Sequence, residues 1–412
     1  MLILNNALYT PISSVHEQMY SAIFDGTGDF LSVGDALDIG TNDFVISFWT
    51  KFADATDQRF LSKRVDDNNQ ILIRTLSSDK IFVRVEADST NVISATCGTA
   101  LTSVENLWVN ICVTCDRSGN SAIYVNGATT LGKADFSSAN SSQNLDNTGS
   151  WNIGRALASY FTGNIDDVAI WIHADLSDFD DNAAEEIYNL GKPFDLRYDR
   201  GDYHHSDKLV GYWRMFNGTN DDKVNGIVMD QTAPTIGPNL VAQPGFETHD
   251  GWTADLSGGG TSSAVDTTFS HSGNNSWKIV QDGSTEGLGI NSPDITVEAD
   301  TFYKFSVWAY RNGGSTWVEI GRADGNLWVN MAHDDNRRYG GDNIPDQTWT
   351  KITGVFKTAS SGTAIKISIN NGSIAGTNGD TKWFDDIELV KLGGNPGIAN
   401  ADATHSTDTP DD

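Results

Sequence analysis

Residues 161–171 read FTGNIDDVAIW, and residues 381–390 read TKWFDDIELV. Each is a short run rich in Ile, Val, Trp and Phe, the composition of a β-strand, interrupted by two adjacent aspartates. Such strands are half buried, and a buried carboxylate is costly unless it is paired, ligated or hydrogen-bonded. Alternation along a strand puts Asp166 on the face of Val168 and Ile170, and Asp385 on the face of Ile387 and Leu389. Both first aspartates are thus expected to point inward, where they need a cation, an arginine or several backbone N–H groups.

The same period of two runs through most of the chain. From Ser21 onward, segments such as DFVISFWTKF, QILIRTL, KIFVRVEA and LWVNICVTCD read as strands. Turn signals such as Asn126-Gly127 and Ser118-Gly119-Asn120 separate them. One helix is expected, DDNAAEEIYNLGKP, capped by Asp181, with Glu185 and Glu186 early and Gly191 and Pro193 at its end. The two prolines of QTAPTIGPNL mark a linker at 231–238. A second β series follows from Asn239, including TFYKFSVWAY, TWVEIG, NLWVNM and AIKISIN. The reading divides the chain into an arm (1–20), a first domain (21–230), the linker, a second domain (239–392) and a disordered acidic tail (393–412), the last because it is rich in Gly, Pro and Asp without an apolar period.

Composition narrows the function. The 412 residues carry 55 acidic against 27 basic side chains, a formal net charge of −28. Nucleic acid and anionic membrane surfaces would be repelled, so neither is expected as a partner. No run approaches the ~20 apolar residues of a membrane span. The opening MLILNNALYTPISS lacks a basic n-region and reads as a poor secretory signal, which points to synthesis in a host cytoplasm. Cys97, Cys112 and Cys115 are an odd count. The CxxC spacing of the last two falls on a strand, where residues three apart face opposite ways. All three are read as packing thiols.

The order of motifs FDGTGDFLSVG, DFVISFWTKF, LWVNICVTCDRSGNSAIYVNG and FTGNIDDVAIW, followed by LSDFDDNAAEEIYNLGKP, resembles the laminin-G-like, concanavalin A-type jelly roll over about Ser21 to Phe194. LVGYWRMFNG resembles a segment found beside such domains in tailed-phage virion proteins. NLVAQPGFETHDGW and WFDDIELV, at the two ends of Asn239 to Leu392, resemble carbohydrate-binding modules of the galactose-binding-like jelly-roll type. The resemblances imply an all-β protein of two jelly-roll β-sandwich domains in tandem behind an extended N-terminal arm. They also imply sugar binding and structural calcium. Glu247 of the GFE motif lies where members of the second family ligate calcium together with the last strand's aspartate, here Asp385. In the first half, Asp25 and Asp29 are the looser candidates beside Asp166. Calcium takes six to eight oxygens, many from carboxylates, which suits such positions; the alternative is that the aspartates bond backbone amides.

Sugar sites use aromatic rings that stack on pyranose C–H faces, flanked by polar groups. In FYKFSVWAY, Tyr303, Phe305, Val307 and Ala309 are read as core, leaving Trp308 and Tyr310 outward. The same alternation leaves Trp317 and Glu319, and then Trp328 and Asn330, outward on two further strands. These six residues form the expected carbohydrate-binding platform, whereas Trp252, Trp277, Trp349 and Trp383 are assigned to packing. An exposed aromatic patch of that size calls for a partner, either a glycan or another subunit.

Catalytic chemistry is not legible. The fold hosts glycosidases, which need two carboxylates straddling the bond, but Asp66-Asp67 sits in a polar turn, and His204-His205 is a lone pair. No GxSxG or HExxH motif occurs. The expectation is a non-enzymatic virion surface protein, a capsid decoration or tail-fibre component that binds host or environmental glycans and is homo-oligomeric, with its arm docked on other virion proteins. Two alternatives stand beside it, a purely structural virion component and a secreted accessory of polysaccharide degradation.

Overall fold

A computed structural model describes residues 16, 18–88, 91–117, 119–127, 134–137, 143–156, 158–173, 175–176, 178–223, 226–248, 251–255, 262–280, 289–313, 317–322, 338–340, 345–358, 364–370, 379–400 and 403–410. The chain forms two compact units. One comprises residues 1–31, 35–223 and 401–412, and the other residues 32–34 and 224–400. Two β-sandwiches follow one another along the sequence, as its motifs imply.

In the first unit, one sheet orders the strands Ala134–Ser137, Asn120–Val125, Val109–Cys115, Asp43–Lys51, Thr162–His173, Ser21–Asp25 and Thr404–Ser406. Leu209–Trp213 lies beside the second half of Thr162–His173. The opposing sheet runs through Trp151–Ile153, Arg59–Asp66, Asn69–Thr75, Ile81–Asp88 and Asn91–Thr96. Between the sheets Phe60 packs on Phe48, Phe52 and Phe161, with ring centroids 5.4, 6.0 and 5.4 Å apart. The central strand Asp43–Lys51 is buried on both faces because a helix covers its other side.

That helix, Asp181–Tyr188, is capped by Asp180, whose side chain accepts the N–H groups of Asn182 and Ala183. The expected cap, Asp181, instead accepts the Tyr124 hydroxyl at 3.0 Å. Ala183, Ala184 and Ile187 pack on Val45, Cys112, Ala169 and Trp171. Trp171 is fully buried and donates its indole N–H to Tyr203 at 3.0 Å. Truncating such a ring costs roughly 3–5 kcal/mol. Cys97, Cys112 and Cys115 are buried and free, and burial pushes the Cys115 thiol up to about 12.

The second unit pairs a five-stranded sheet with a six-stranded one. The first orders Ser262–Asp266, Ser276–Val280, Thr381–Lys391, Phe302–Asn312 and Thr350–Lys357. The second orders Thr253–Asp255, Gly289–Asn291, Ala364–Asn370, Trp317–Arg322 and Arg338–Gly340, with Ile295–Thr296 beside Ala364–Asn370. Tyr303, Phe305, Val307 and Ala309 enter the core with Trp252, Trp277, Phe384, Ile387 and Leu389.

Three boundaries differ from the sequence reading. Residues 231–238 are not a free linker. Asp230, fully buried, accepts the Thr232 and Asn395 N–H groups at 3.0 and 3.2 Å, and Gly237 donates to Lys391 O at 2.8 Å. The first unit accordingly ends near residue 223 rather than 230. The described residues of the tail, 393–400 and 403–410, are not disordered either. Gly397–Asn400 pairs with Ile227–Val228 and seats Ile398 against Met229, Phe302 and Leu392. Thr404–Ser406 returns to pair with Ser21–Asp25. Behind it, Asp408 receives Lys51 Nζ at 2.6 Å and the Trp108 indole N–H at 2.8 Å. The tail lacks an apolar period because main-chain pairing and one carboxylate hold it.

Candidate functional site: paired aspartates and an aromatic wall

Both aspartate pairs are the same local device. In the first, Asp166 pairs with Trp49 and Ala169 with Ser47, so Asp167 and Val168 stand opposite a single residue. In the second, Asp385 pairs with Trp308 and Glu388 with Ser306, so Asp386 and Ile387 do the same. Each is a β-bulge with one extra residue. The second aspartate takes the left-handed conformation, with φ of 44° at Asp167 and 48° at Asp386, which Asp tolerates better than most side chains. In both, Oδ1 of the first aspartate accepts the N–H of the second at 2.8 Å. The bulge breaks simple alternation, and Asp167 is buried along with Asp166.

Their surroundings differ. In the first unit, Asp167 accepts His16 Nε2 at 2.9 Å, the Tyr212 hydroxyl at 2.8 Å and the Gln18 amide. The end of the N-terminal arm is therefore fastened to its own domain, and Asn217 Oδ1 accepts the N–H groups of Met19 and Tyr20, each at 2.8 Å. Asp166 is fully buried, and its Oδ2 has no hydrogen-bond partner. Burial and the neighbouring Asp167 raise its pKa well above the usual carboxylate range. Asp25 and Asp29 serve the turn between the first two strands, where Asp29 accepts the Asp25 N–H at 3.1 Å and Asp25 that of Thr27 at 2.6 Å.

In the second unit, backbone amides bond the two carboxylates expected to hold calcium. Asp385 Oδ2 accepts the N–H groups of His271 and Ser272 at 2.8 and 3.0 Å. Glu247 Oε1 accepts those of Asn274 and Asn275 at 2.7 and 3.1 Å. One loop, residues 271–275, is thus clasped from both sides. Burial raises Asp385, only partly offset by the amides of Ser272, Asp386 and His271. Among the described residues, no group of three or more His, Cys, Asp or Glu side chains is gathered to hold a metal. Backbone N–H groups thus already bond both Asp385 oxygens and Glu247 Oε1. Among the described residues, Asp166 Oδ2 is the buried oxygen of the expected ligands left without a hydrogen-bond partner.

The clasped loop builds the site beside it. His271 Nδ1 donates to Asp386 Oδ2 at 2.6 Å, and its ring stacks on Trp308 with centroids 3.9 Å apart. Phe269 packs on Tyr310, Trp349 and Trp383 at 4.7, 5.5 and 5.0 Å. Trp383 donates its indole N–H to Asp266 at 2.7 Å, and Lys278 Nζ lies 3.6 Å from the same carboxylate. These six rings (Phe269, His271, Trp308, Tyr310, Trp349 and Trp383) are half-buried and form one wall on the outer face of the five-stranded sheet. The Asp385–Asp386 bulge thus positions the ring that orients Trp308.

The expected platform is therefore only partly assembled. Trp308 and Tyr310 belong to the wall. Trp317 and Glu319 lie on a strand of the other sheet, in register with Asn370 and Ser368. Trp328 and Asn330 lie outside the described residues. Trp349 and Trp383, assigned to packing, are wall residues, whereas Trp252 and Trp277 are core. Phe269 and His271 were missed because they sit in a loop without periodicity.

Comparison with known proteins agrees with this architecture. Residues 25–177 match the family described as concanavalin A-like lectin/glucanases superfamily, and residues 238–379 match the family described as carbohydrate binding domain. One stretch of the chain is thus similar to a concanavalin A-like domain and a later one to a carbohydrate-binding domain. No curated protein matches the chain. Similar solved structures include the xylanase 10B modules of Clostridium thermocellum (16% identity, 38% of this chain, TM-score 0.28). This chain spans 29% of that protein's length. A pentraxin from Limulus polyphemus shares 15% identity over 42% of this chain and 82% of its own (TM-score 0.33). A putative carbohydrate binding protein from Bacteroides ovatus shares 17% over 52% and 56% (TM-score 0.35).

Proposed function

We propose that this chain is a non-enzymatic glycan-binding protein of a virion surface, with the aromatic wall of its second domain as the sugar platform. The observation that carries the reading is that wall: half-buried rings on an open sheet face, with Lys278 and Asp266 beside them. Ring faces stack on the C–H faces of a pyranose, and the polar groups take hydroxyls. The virion assignment rests on the resemblance of LVGYWRMFNG to segments of tailed-phage proteins. Residues 1–15 would dock other virion proteins, and the assembly would be homo-oligomeric. Calcium belongs to the proposal at one position, Asp166.

A glycan array with the wild type and a Trp308→Ala/Trp383→Ala double variant tests the reading. Binding that the folded variant loses supports it, and silence from the wild type refutes it. A second reading makes the wall a contact between virion subunits. It is favoured by how far the rings already pack on one another, with Tyr310 5.6 and 5.5 Å from Trp349 and Trp383. On that reading the variant fails to assemble and no sugar responds.

A further inference from the structure

The first unit carries a second feature that the wall does not explain. On the outer face of its Arg59–Asp66, Asn69–Thr75 and Ile81–Asp88 strands lies a cavity of about 250 Å³. Four of its lining residues are arginines, Arg59, Arg64, Arg74 and Arg84, against one acid, Asp67. In a chain with 27 basic and 55 acidic side chains, this concentration runs against the composition.

Strand register explains the placement. Ile71, Ile73, Val83 and Val85 fill the core, and alternation turns Gln70, Leu72, Arg74, Phe82 and Arg84 outward. Arg59 stands directly across from Arg74. Like charges opposite one another in a sheet are destabilising unless something lies between them. The nearest carboxylate, Asp57, is 3.8 Å from Arg59 and 3.9 Å from Arg74, beyond good hydrogen-bond length, and is half exposed. Arg74 Nε and Arg64 Nε are buried without a hydrogen-bond partner. Burial and the Arg74 charge pull the Arg59 guanidinium down. Arg84 and Arg64 bond the Glu86 and Asp67 carboxylates, whereas Arg59 Nη1 donates to main-chain oxygens, Asp57 O at 2.6 Å and Gln58 O at 3.4 Å.

The remainder of the cleft is suited to a ring. Leu72 and Phe82 give an apolar floor, with the Arg74 guanidinium 5.2 Å above the Phe82 ring. Ser159 supplies a hydroxyl partner. The volume is just below the ~300–1,000 Å³ usual for small-molecule sites, enough for one or two sugar rings.

We infer that this cleft binds a carboxylate-bearing sugar, a uronic acid residue of an acidic polysaccharide, with the carboxylate seated between Arg59 and Arg74. A guanidinium pair matches a carboxylate in a forked geometry that lysine cannot reproduce. The ring lies on Leu72, beside the Arg74 guanidinium stacked on Phe82. The net negative charge of the rest of the chain is screened beyond about 8 Å at physiological ionic strength, so the local arginines govern. This site is independent of the aromatic wall.

The test is titration calorimetry of the full chain with trigalacturonate and with its neutral counterpart, galactotriose. The expected result is binding of trigalacturonate at least tenfold tighter than galactotriose and weaker in high salt. An Arg59→Gln/Arg74→Gln variant should lose at least tenfold, Arg74→Lys should lose part of the affinity, and Trp308→Ala should lose none. No binding of trigalacturonate, equal binding of the neutral sugar, or unchanged binding in the double variant would overturn the inference. Displacement by sulfate at the same concentration would also do so, since it would reduce the cleft to a general anion site.

Discussion

Replacing Asp385 by asparagine separates the amide clasp from a calcium site. Asp385 accepts three backbone N–H groups, from His271 at 2.8 Å, Ser272 at 3.0 Å and Asp386 at 2.8 Å. Asparagine keeps one acceptor oxygen and puts an NH₂ where the other stood. If the oxygen faces His271 and Ser272, the Asp386 N–H meets a donor and is left unsatisfied. If it faces Asp386, two N–H groups are lost. A hydrogen bond to a charged group contributes about 1.5–3 kcal/mol net, and an unsatisfied buried donor costs about 1–3. The relief of no longer burying a charge, visible in the raised pKa of Asp385, works in the other direction. The balance is a loss of roughly 1–3 kcal/mol, or about 2–12 °C in midpoint for a unit of this size. Urea unfolding followed by tryptophan fluorescence measures it. The same traces should show a changed environment for Trp308, whose stacking partner His271 hangs on this loop. A loss under about 0.5 kcal/mol would refute the clasp. EDTA producing the same loss in the wild type and none in the variant would refute it differently, by showing a cation at Asp385.

Three further outcomes follow from the same geometry. Calcium is expected to raise the melting temperature of the EDTA-treated wild type but not of Asp166→Asn, and a wild-type melt indifferent to both reagents would remove calcium altogether. Asp408→Ala should destabilise the first unit by about 1–2 kcal/mol through loss of its bonds to Lys51 and Trp108; an unchanged melt would return the tail to a passive role. Asp195 is buried, which works against its charge, yet the paired bonds of Arg197 at 2.9 and 2.6 Å outweigh burial and hold it below the usual range. A depressed pKa adds stability that is present above the unfolded value and lost as pH falls through the folded one. Asp195→Asn should therefore lower stability at pH 7 and converge with the wild type in acid, and a gap that persists to the lowest pH would refute this.

The strands were legible because their cores repeat with period two. Phe305, Val307 and Ala309 fall inside, and Trp308 and Tyr310 outside, as alternation requires. Alternation gives the face of a residue but not its sheet, so Trp308 and Trp317 were grouped although different sheets carry them. It also fails at a bulge. Nothing in NIDDVAIW announces that Asp167 adopts φ of 44° and turns buried as well. Phe269 and His271 reach the wall from a loop, whose placement depends on Asp385 and Glu247, far away in sequence. The tail escaped notice because its hold is main-chain pairing, to which hydropathy is blind. The arginine cleft was unread because its four arginines come from three strands, and only register sets Arg59 against Arg74.

The return of Thr404–Ser406 to Ser21–Asp25 sets an order of birth. On a ribosome, chains ordinarily complete their domains from the N-terminus onward. Here the later sandwich, bounded by residues 224–400, can be finished while the earlier one still awaits the strand that borders Ser21–Asp25. The first unit to begin is the last to close, and a nascent chain stalled before residue 404 would hold a finished second sandwich beside an unfinished first.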